Sequence, residues 1–277
     1  MSAATPAVTP APAPGKPDRG RRSWGLTAWA VFVYAFLYLP LVIVVLYSFS
    51  ATKVNAWPIK GYTLDWYRQF LQDDDIFASI RLSVFVGIVA ASAAVVLGTL
   101  AAFAIDRYDF PGKPALRFLI VLPITLPGIV TGVALLSWFH GFGVPLSRWT
   151  IIAGHVTFCI TLVVNNVVAR LGQLPRHLTE ASADLGANPW TTFWRVTFPL
   201  IRPAVLAGAI LAFTLSFDEI IVTFFLTGRE KTLPLLIWGR LRMGLSPEIN
   251  AAATAIIAVS LVGVLLVSRL TRTNDLA

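Results

Sequence analysis

Residues 80–105 read IRLSVFVGIVAASAAVVLGTLAAFAI, an apolar run whose only charge is Arg81 near its start. At about 1.5 Å per residue, a helix of this length outreaches a hydrocarbon core of about 30 Å. The run lacks the period-two alternation of a membrane-spanning β-strand, and only helices and closed barrels satisfy every backbone group in lipid. It is therefore read as a transmembrane helix. Ala90, Ala94, Gly98 and Ala102 recur along it every four residues, a small-residue face that lets a second helix approach closely.

Comparable runs occupy 28–49, 118–139, 151–169, 203–226 and 251–267. The expected architecture is all-α, a polytopic transmembrane bundle of about six helices. Composition agrees: of 277 residues, 56% are hydrophobic and 13% charged, where a soluble domain carries about a quarter charged. Residues 1–23, rich in Ala, Pro and Thr, have too little to bury and are read as a disordered cytoplasmic tail, leaving 24–277 as the membrane domain. The apolar stretch that follows is too long for a cleaved leader and contains Pro40, so it is read as an uncleaved first span.

The formal charge of +8 is distributed as in a membrane protein. With the N-terminus inside, Arg107, Lys113 and Arg117, then Arg170, Arg176, Arg195 and Arg202, then Arg269 and Arg272 fall in inner segments. Basic and aromatic residues are not interleaved in a base-stacking pattern, so no nucleic acid is expected as a partner. Cys159 is the single cysteine, and His140, His155 and His177 lack ligand spacing, so no metal site is expected.

Within the outer segment 228–250, apolar Leu235, Leu236, Ile237, Trp238, Leu241 and Met243 surround Arg240 and Arg242, which suggests an interfacial or re-entrant helix. Ser246 and Pro247 read as cap and first residue of the final helix. Gly208, Ala212 and Ser216 give the fifth span a small-residue stripe of its own. In the third span Pro123, Pro127 and Gly128 read as a packing kink.

The cytoplasmic segment 170–202 is too long to be a plain connection. Pro175 can open a first short helix, Gly186 is placed to end it in the left-handed conformation, and Asn188 and Pro189 can start a second. Pro199 is expected to end that second helix. This loop resembles the signature of the inner-membrane permease subunits of binding-protein-dependent ABC importers, which reads Glu-Ala-Ala, three residues, Gly, nine residues, Ile, one residue, Leu-Pro. Glu180, Ala181, Ser182, Gly186, Val196, Phe198 and Pro199 stand in register with it, with Ser182, Val196 and Phe198 as substitutions.

The resemblance covers the chain outside its tail. It is closest to the polyamine (spermidine and putrescine) permeases of the second permease type, through Trp66 and Tyr67, 106–112, 215–219, 223–228 and 233–250. It implies the type I importer permease fold in the inner membrane of a prokaryote, with transport by alternating access. The loop around Glu180 and Gly186 would then be the coupling elbow that docks on a dimer of ATP-binding subunits. A second permease and a periplasmic or extracellular substrate-binding protein would complete the assembly. No Gly-x-x-x-x-Gly-Lys-Ser/Thr occurs, so ATP and Mg would sit on the partner and this chain would bind no cofactor and catalyse nothing.

Asp218 and Glu219 are the carboxylates inside the predicted spans, where a charge is costly enough to mark a pathway or a buried pair. They are the first candidates for contact with a cationic substrate, with Phe217, Trp138 and Trp238 as cation-π candidates and Asn165 and Asn166 behind them. On a continuous helix Glu219 joins the Gly208, Ala212 and Ser216 face and Asp218 turns about 100° away. Two other readings are a secondary transporter in which Asp218 or Glu219 carries protons, and a scaffold without a pathway.

Overall fold

The computed structural model describes residues 24–53, 56–175, 177–244, 247–258 and 261. The tail 1–23, Arg176, Ser246 and most of the predicted last span beyond 258 lie outside the described residues. Those described are helical apart from turns, loops and one isolated bridge between Ser50 and Tyr62.

Helix α1 (Trp24–Tyr47) buries none of its side chains against the rest of the chain, although it is apolar on every side. A helix of that character is stable only in lipid or against another subunit. The segment after it returns along itself: Ala51 N–H donates to the Gly61 carbonyl at 2.9 Å, and Thr63 N–H to that of Phe49 at 2.8 Å. Trp66 and Tyr67, on α2 (Asp65–Gln72), secure this return. The Trp66 indole N–H donates to the Ser50 carbonyl at 2.7 Å, and the Tyr67 hydroxyl lies 2.6 Å from Ser48 Oγ.

Helix α3 (Asp74–Arg107) opens on the side chain of Asp73, which accepts from Ile76 N–H at 3.1 Å. Its 34 residues reach beyond the predicted 80–105 at both ends. With α6 (Arg148–Leu171) and α9 (Phe198–Asp218) it forms the packed centre of the molecule. The small-residue stripes lie at these contacts, with Ala90, Ala94, Ala102 and Ala212 fully buried. Val163 of α6 sits between Gly98 of α3 and Gly208 of α9. A methyl group added at Gly98 would come within 2.9 Å of Val163 Cβ, and one at Gly208 within 3.1 Å of Val163 Cα. In lipid, where apolar burial offers little between helices, such close approach is what associates them.

The predicted third span is not one kinked helix. It is α4 (Lys113–Thr125) and α5 (Gly128–Gly141), bent by 109° at Leu126 and Pro127. A residue before proline is pushed out of the helical region, and Leu126 is extended, with ψ 146°. The bend lays α5 against the short α10 (Ile221–Leu226), where Gly132 faces the Phe225 ring.

Four described helices are long and apolar enough to cross a membrane, or five if the bent pair counts as one span. The predicted sixth is helical over 247–258 and at 261. Between α10 and this last segment stands α11 (Leu233–Met243), 11 residues long and too short to span. It buries Leu233 and Leu235 and is tied to α3 by Leu233 N–H donating to Ser83 Oγ at 2.8 Å.

Candidate functional site

The elbow predicted for segment 170–202 is built from α7 (His177–Asp184) and α8 (Pro189–Thr192). Two backbone bonds close the end of α7, from Ala187 N–H to the Ser182 carbonyl at 3.1 Å and from Gly186 N–H to that of Ala183 at 2.8 Å. This pairing is the glycine-ended closure of a helix, and Gly186 stands in it at φ +80°. The space around Gly186 is open, so glycine is demanded by conformation alone. Asn188 Oδ1 accepts Thr191 N–H at 2.8 Å to start α8, and the Ser182 and Thr192 hydroxyls, 2.9 Å apart, tie the two helices together.

Glu180 and Ala181 are exposed, as are Leu185 and Trp190 at the tip, at 89% and 71%. Val196 is half-buried, in a cleft with Leu174, Leu178 and Leu200. Contrary to the sequence expectation, Pro199 does not end the second helix. A π-helical turn, Phe193–Thr197, joins α8 to α9, with Phe198 N–H reaching back to the Phe193 carbonyl, so that Pro189–Asp218 runs as one 30-residue helix. Widening the turn relieves the clash between a proline ring and the carbonyl four residues earlier. An aromatic series follows this junction. Trp190 packs on Trp194 at 5.7 Å, Trp194 on Phe198 at 5.0 Å, and Phe193 on Phe103 of α3 at 5.6 Å. The elbow is thus connected to two helices of the packed centre.

At the far end of α9 the helix stops at Asp218, and α10 begins at Ile221 after a break at Glu219 and Ile220. Glu219 therefore does not continue the Gly208, Ala212 and Ser216 face, as a continuous helix would require. Its Oε1 accepts Val222 N–H at 2.9 Å and caps α10. Asp218 remains exposed and lines a cavity of about 240 Å³ with Phe217, Ile237, Trp238 and Leu241. Three of the four predicted pathway residues thus share one cavity, and the fourth is turned into a cap.

Trp138 stands apart, edge-on to Phe139 and tilted against Phe142. Asn166 donates to the Leu162 carbonyl of its own helix, and Asn165 lines a different cleft with Arg117. The guanidinium of Arg242 lies 5.1 Å from the Trp238 ring centroid. Arg240, two residues earlier, pairs with Asp73 at 2.6 Å and Glu248 at 3.0 Å, joining α11 to the start of α3 and to the last helical segment. Its hydrogen bond holds the Asp73 carboxyl below the ordinary carboxylate range.

His155 was not singled out by sequence reasoning, yet it lies at the helix break. It is fully buried, with Nδ1 2.7 Å from Ser216 Oγ on α9 and Nε2 2.9 Å from Thr223 Oγ1 on α10. Thr223 in turn donates its single hydroxyl proton to the Glu219 carbonyl at 2.9 Å, so it must accept from His155 Nε2–H. Nδ1 is then the acceptor for Ser216 O–H. The four groups form one directed chain, from Ser216 through His155 and Thr223 to the Glu219 carbonyl. The signal in the sequence was an ionisable side chain within a predicted span.

Over residues 94–275 the chain matches the family described as "Binding-protein-dependent transport system inner membrane component". It is 41% identical over 240 residues to the putrescine transport system permease protein PotI of Escherichia coli K12, covering 83% of this chain and 85% of that one. To the spermidine/putrescine transport system permease protein PotC of Haemophilus influenzae it is 36% identical over 250 residues, covering 90% and 96%. The fold is similar to the crystal structure of a bacterial ABC transporter involved in the import of the acidic polysaccharide alginate, with TM-score 0.64, 20% identity and coverage of 95% and 99%. The bundle, its family match and its relatives agree: the chain belongs to the inner-membrane permease components of binding-protein-dependent transport systems, the family of PotI and PotC, as a non-catalytic, multi-pass subunit of an ABC importer.

Proposed function

We propose that this subunit forms half of an import pathway for polyamines, with Asp218 as its cation-contacting carboxylate. The observation that carries this reading is the cavity that gathers Asp218, Phe217 and Trp238 at the end of α9. A carboxylate flanked by aromatic faces suits a protonated amine, which gains from both. The putrescine and spermidine named for PotI and PotC support the same cargo class.

The pathway lies between this chain and a second permease, each of about six spans with its N-terminus inside. A substrate-binding protein delivers cargo from outside. Two ATP-binding subunits receive the elbow, with Leu185 and Trp190 at its tip and Glu180, Ala181, Ser182, Gly186, Val196 and Pro199 as its frame. Closure of those subunits moves the elbow, and the π turn and aromatic series pass the displacement into α9 and α3 as rigid-body motion, exchanging inward-open and outward-open states.

The test uses the complete transporter in lipid vesicles and reads putrescine imported per ATP hydrolysed, a ratio insensitive to the amount of assembled complex. Asp218→Asn is expected to lower it about tenfold, equivalent to about 1.4 kcal/mol. Glu219→Gln should leave it near wild type, because the amide oxygen still accepts from Val222 N–H. An unchanged ratio in Asp218→Asn removes the pathway reading.

A further inference from the structure

We infer that His155 is a positioning residue for cation recognition: the directed chain Ser216–His155–Thr223–Glu219 fixes the break between α9 and α10 so that Asp218 faces the cavity while Glu219 is kept back as a cap. The inference rests on the pathway role of Asp218 proposed above.

The break needs such a brace. A chain leaving a helix within a bundle exposes backbone groups that lipid cannot satisfy. Glu219 stands there with ψ 119°, and three interactions meet its consequences. Its carboxylate caps the Val222 N–H, its carbonyl takes the Thr223 hydroxyl, and His155 joins that hydroxyl to Ser216, the last buried residue of α9. His155 comes from α6 and so refers both helix ends to a third element. The far end of α10 is held to the same helix, since the Thr150 hydroxyl lies 2.8 Å from the Leu226 carbonyl.

Packing cannot substitute for this arrangement, because the chain has a direction. Each hydroxyl has one proton, and each link is correct only if the next is. Neutral imidazole, with one donor and one acceptor nitrogen, matches what Ser216 offers and Thr223 accepts. Asp218 and Glu219 are neighbours in sequence, so the backbone direction fixed at Glu219 also fixes which of them faces the cavity. One carboxylate there holds one ammonium at a time, a grip firm enough for entry and weak enough for release.

The test compares Thr223→Val, isosteric but without the hydroxyl, with Thr223→Ser, which keeps the hydroxyl and loses the methyl. Putrescine imported per ATP is read again in the complete reconstituted transporter. Thr223→Val is expected to lower it about fivefold, the ratio that corresponds to one lost hydrogen bond, and Thr223→Ser to stay near wild type. Combined with Asp218→Asn, Thr223→Val should add no further loss, since both act on the same carboxylate. Should Thr223→Val fail to assemble, Ser216→Ala opens the other end of the chain and must show the same non-additivity. If Asp218→Asn lowers the ratio but Thr223→Val matches or exceeds Thr223→Ser, or lowers it further in the Asp218→Asn background, the positioning role is overturned and the pathway reading stands. If Asp218→Asn itself has no effect, the pathway reading fails first.

Discussion

The elbow and the α9–α10 break both redirect a helix, but by opposite means. At the elbow every determinant lies within a few residues: Gly186 at φ +80°, the carbonyls of Ser182 and Ala183, and the Asn188 cap. At the break, residues 216–223 contain neither glycine nor proline, and the local bonds, the Glu219 cap on Val222 N–H and the Thr223 hydroxyl on the Glu219 carbonyl, are joined to the bundle from outside. The redirection depends on His155, which is 61 residues from Ser216 and 68 from Thr223. Under the proposed function, a piece that moves as a unit against the ATP-binding subunits is self-contained, while one that sets a carboxylate relative to the bundle is fixed by the bundle.

Glycine substitutions can break this comparison, and the largest effect is expected at Gly154. A methyl there would lie 2.3 Å from Leu226 Cδ1 and 3.1 Å from Val222 Cγ1, both on α10 and both buried. Overpacking of this kind costs about 1–3 kcal/mol. Gly154→Ala should reduce recovery of the assembled complex by about tenfold, and Gly154→Asn should abolish it, as measured by co-purification with the ATP-binding subunits. At Gly186 the order should reverse. Gly186→Ala meets no neighbour but must adopt the left-handed region at about 1–2 kcal/mol, so substrate-stimulated ATPase activity should fall about tenfold in a complex that still assembles. Gly186→Asn, which tolerates that region, should lose less than half. Equal behaviour of Ala and Asn at both positions would erase the distinction between a conformational and a steric glycine.

The same contrast governs what the sequence disclosed. The stripe of Ala90, Ala94, Gly98 and Ala102, the left-handed Gly186 and the Asn188 cap are periodic or local features, and these appear in the structure as expected. Pro127 marked the position of the third-span break, but not its 109° angle, with which α5 packs against α10. Pro199 was misleading, because the terminating tendency of proline was overridden by a widened turn that its neighbours sustain. Glu219 looked like a pathway residue as long as the fifth span looked continuous. His155 could be recognised only as a polar group that needed partners; which partners it has is a fact of tertiary packing.

A smaller effect comes from the ion pairs around Arg240, where a long-range contact fixes α11 without redirecting it. The Arg240 hydrogen bond lowers the Asp73 carboxyl below its usual value of about 3.8. A carboxyl depressed in the folded state stabilises above its unfolded value, and that contribution is lost as pH falls through the folded value. Asp73→Asn should therefore lower the thermal midpoint of the purified complex by about 2–4 °C at pH 6. The gap to wild type should narrow steadily below about pH 4, as the wild-type carboxyl is protonated and comes to resemble the amide. A gap already absent at pH 6 would mean that Asp73 serves only as the cap of α3, accepting from Ile76 N–H, a role that asparagine fills equally well. The pair of Asp73 with Arg240 would then contribute nothing, and α11 would be held by the burial of Leu233 and Leu235, the Ser83 bond and the pair of Arg240 with Glu248.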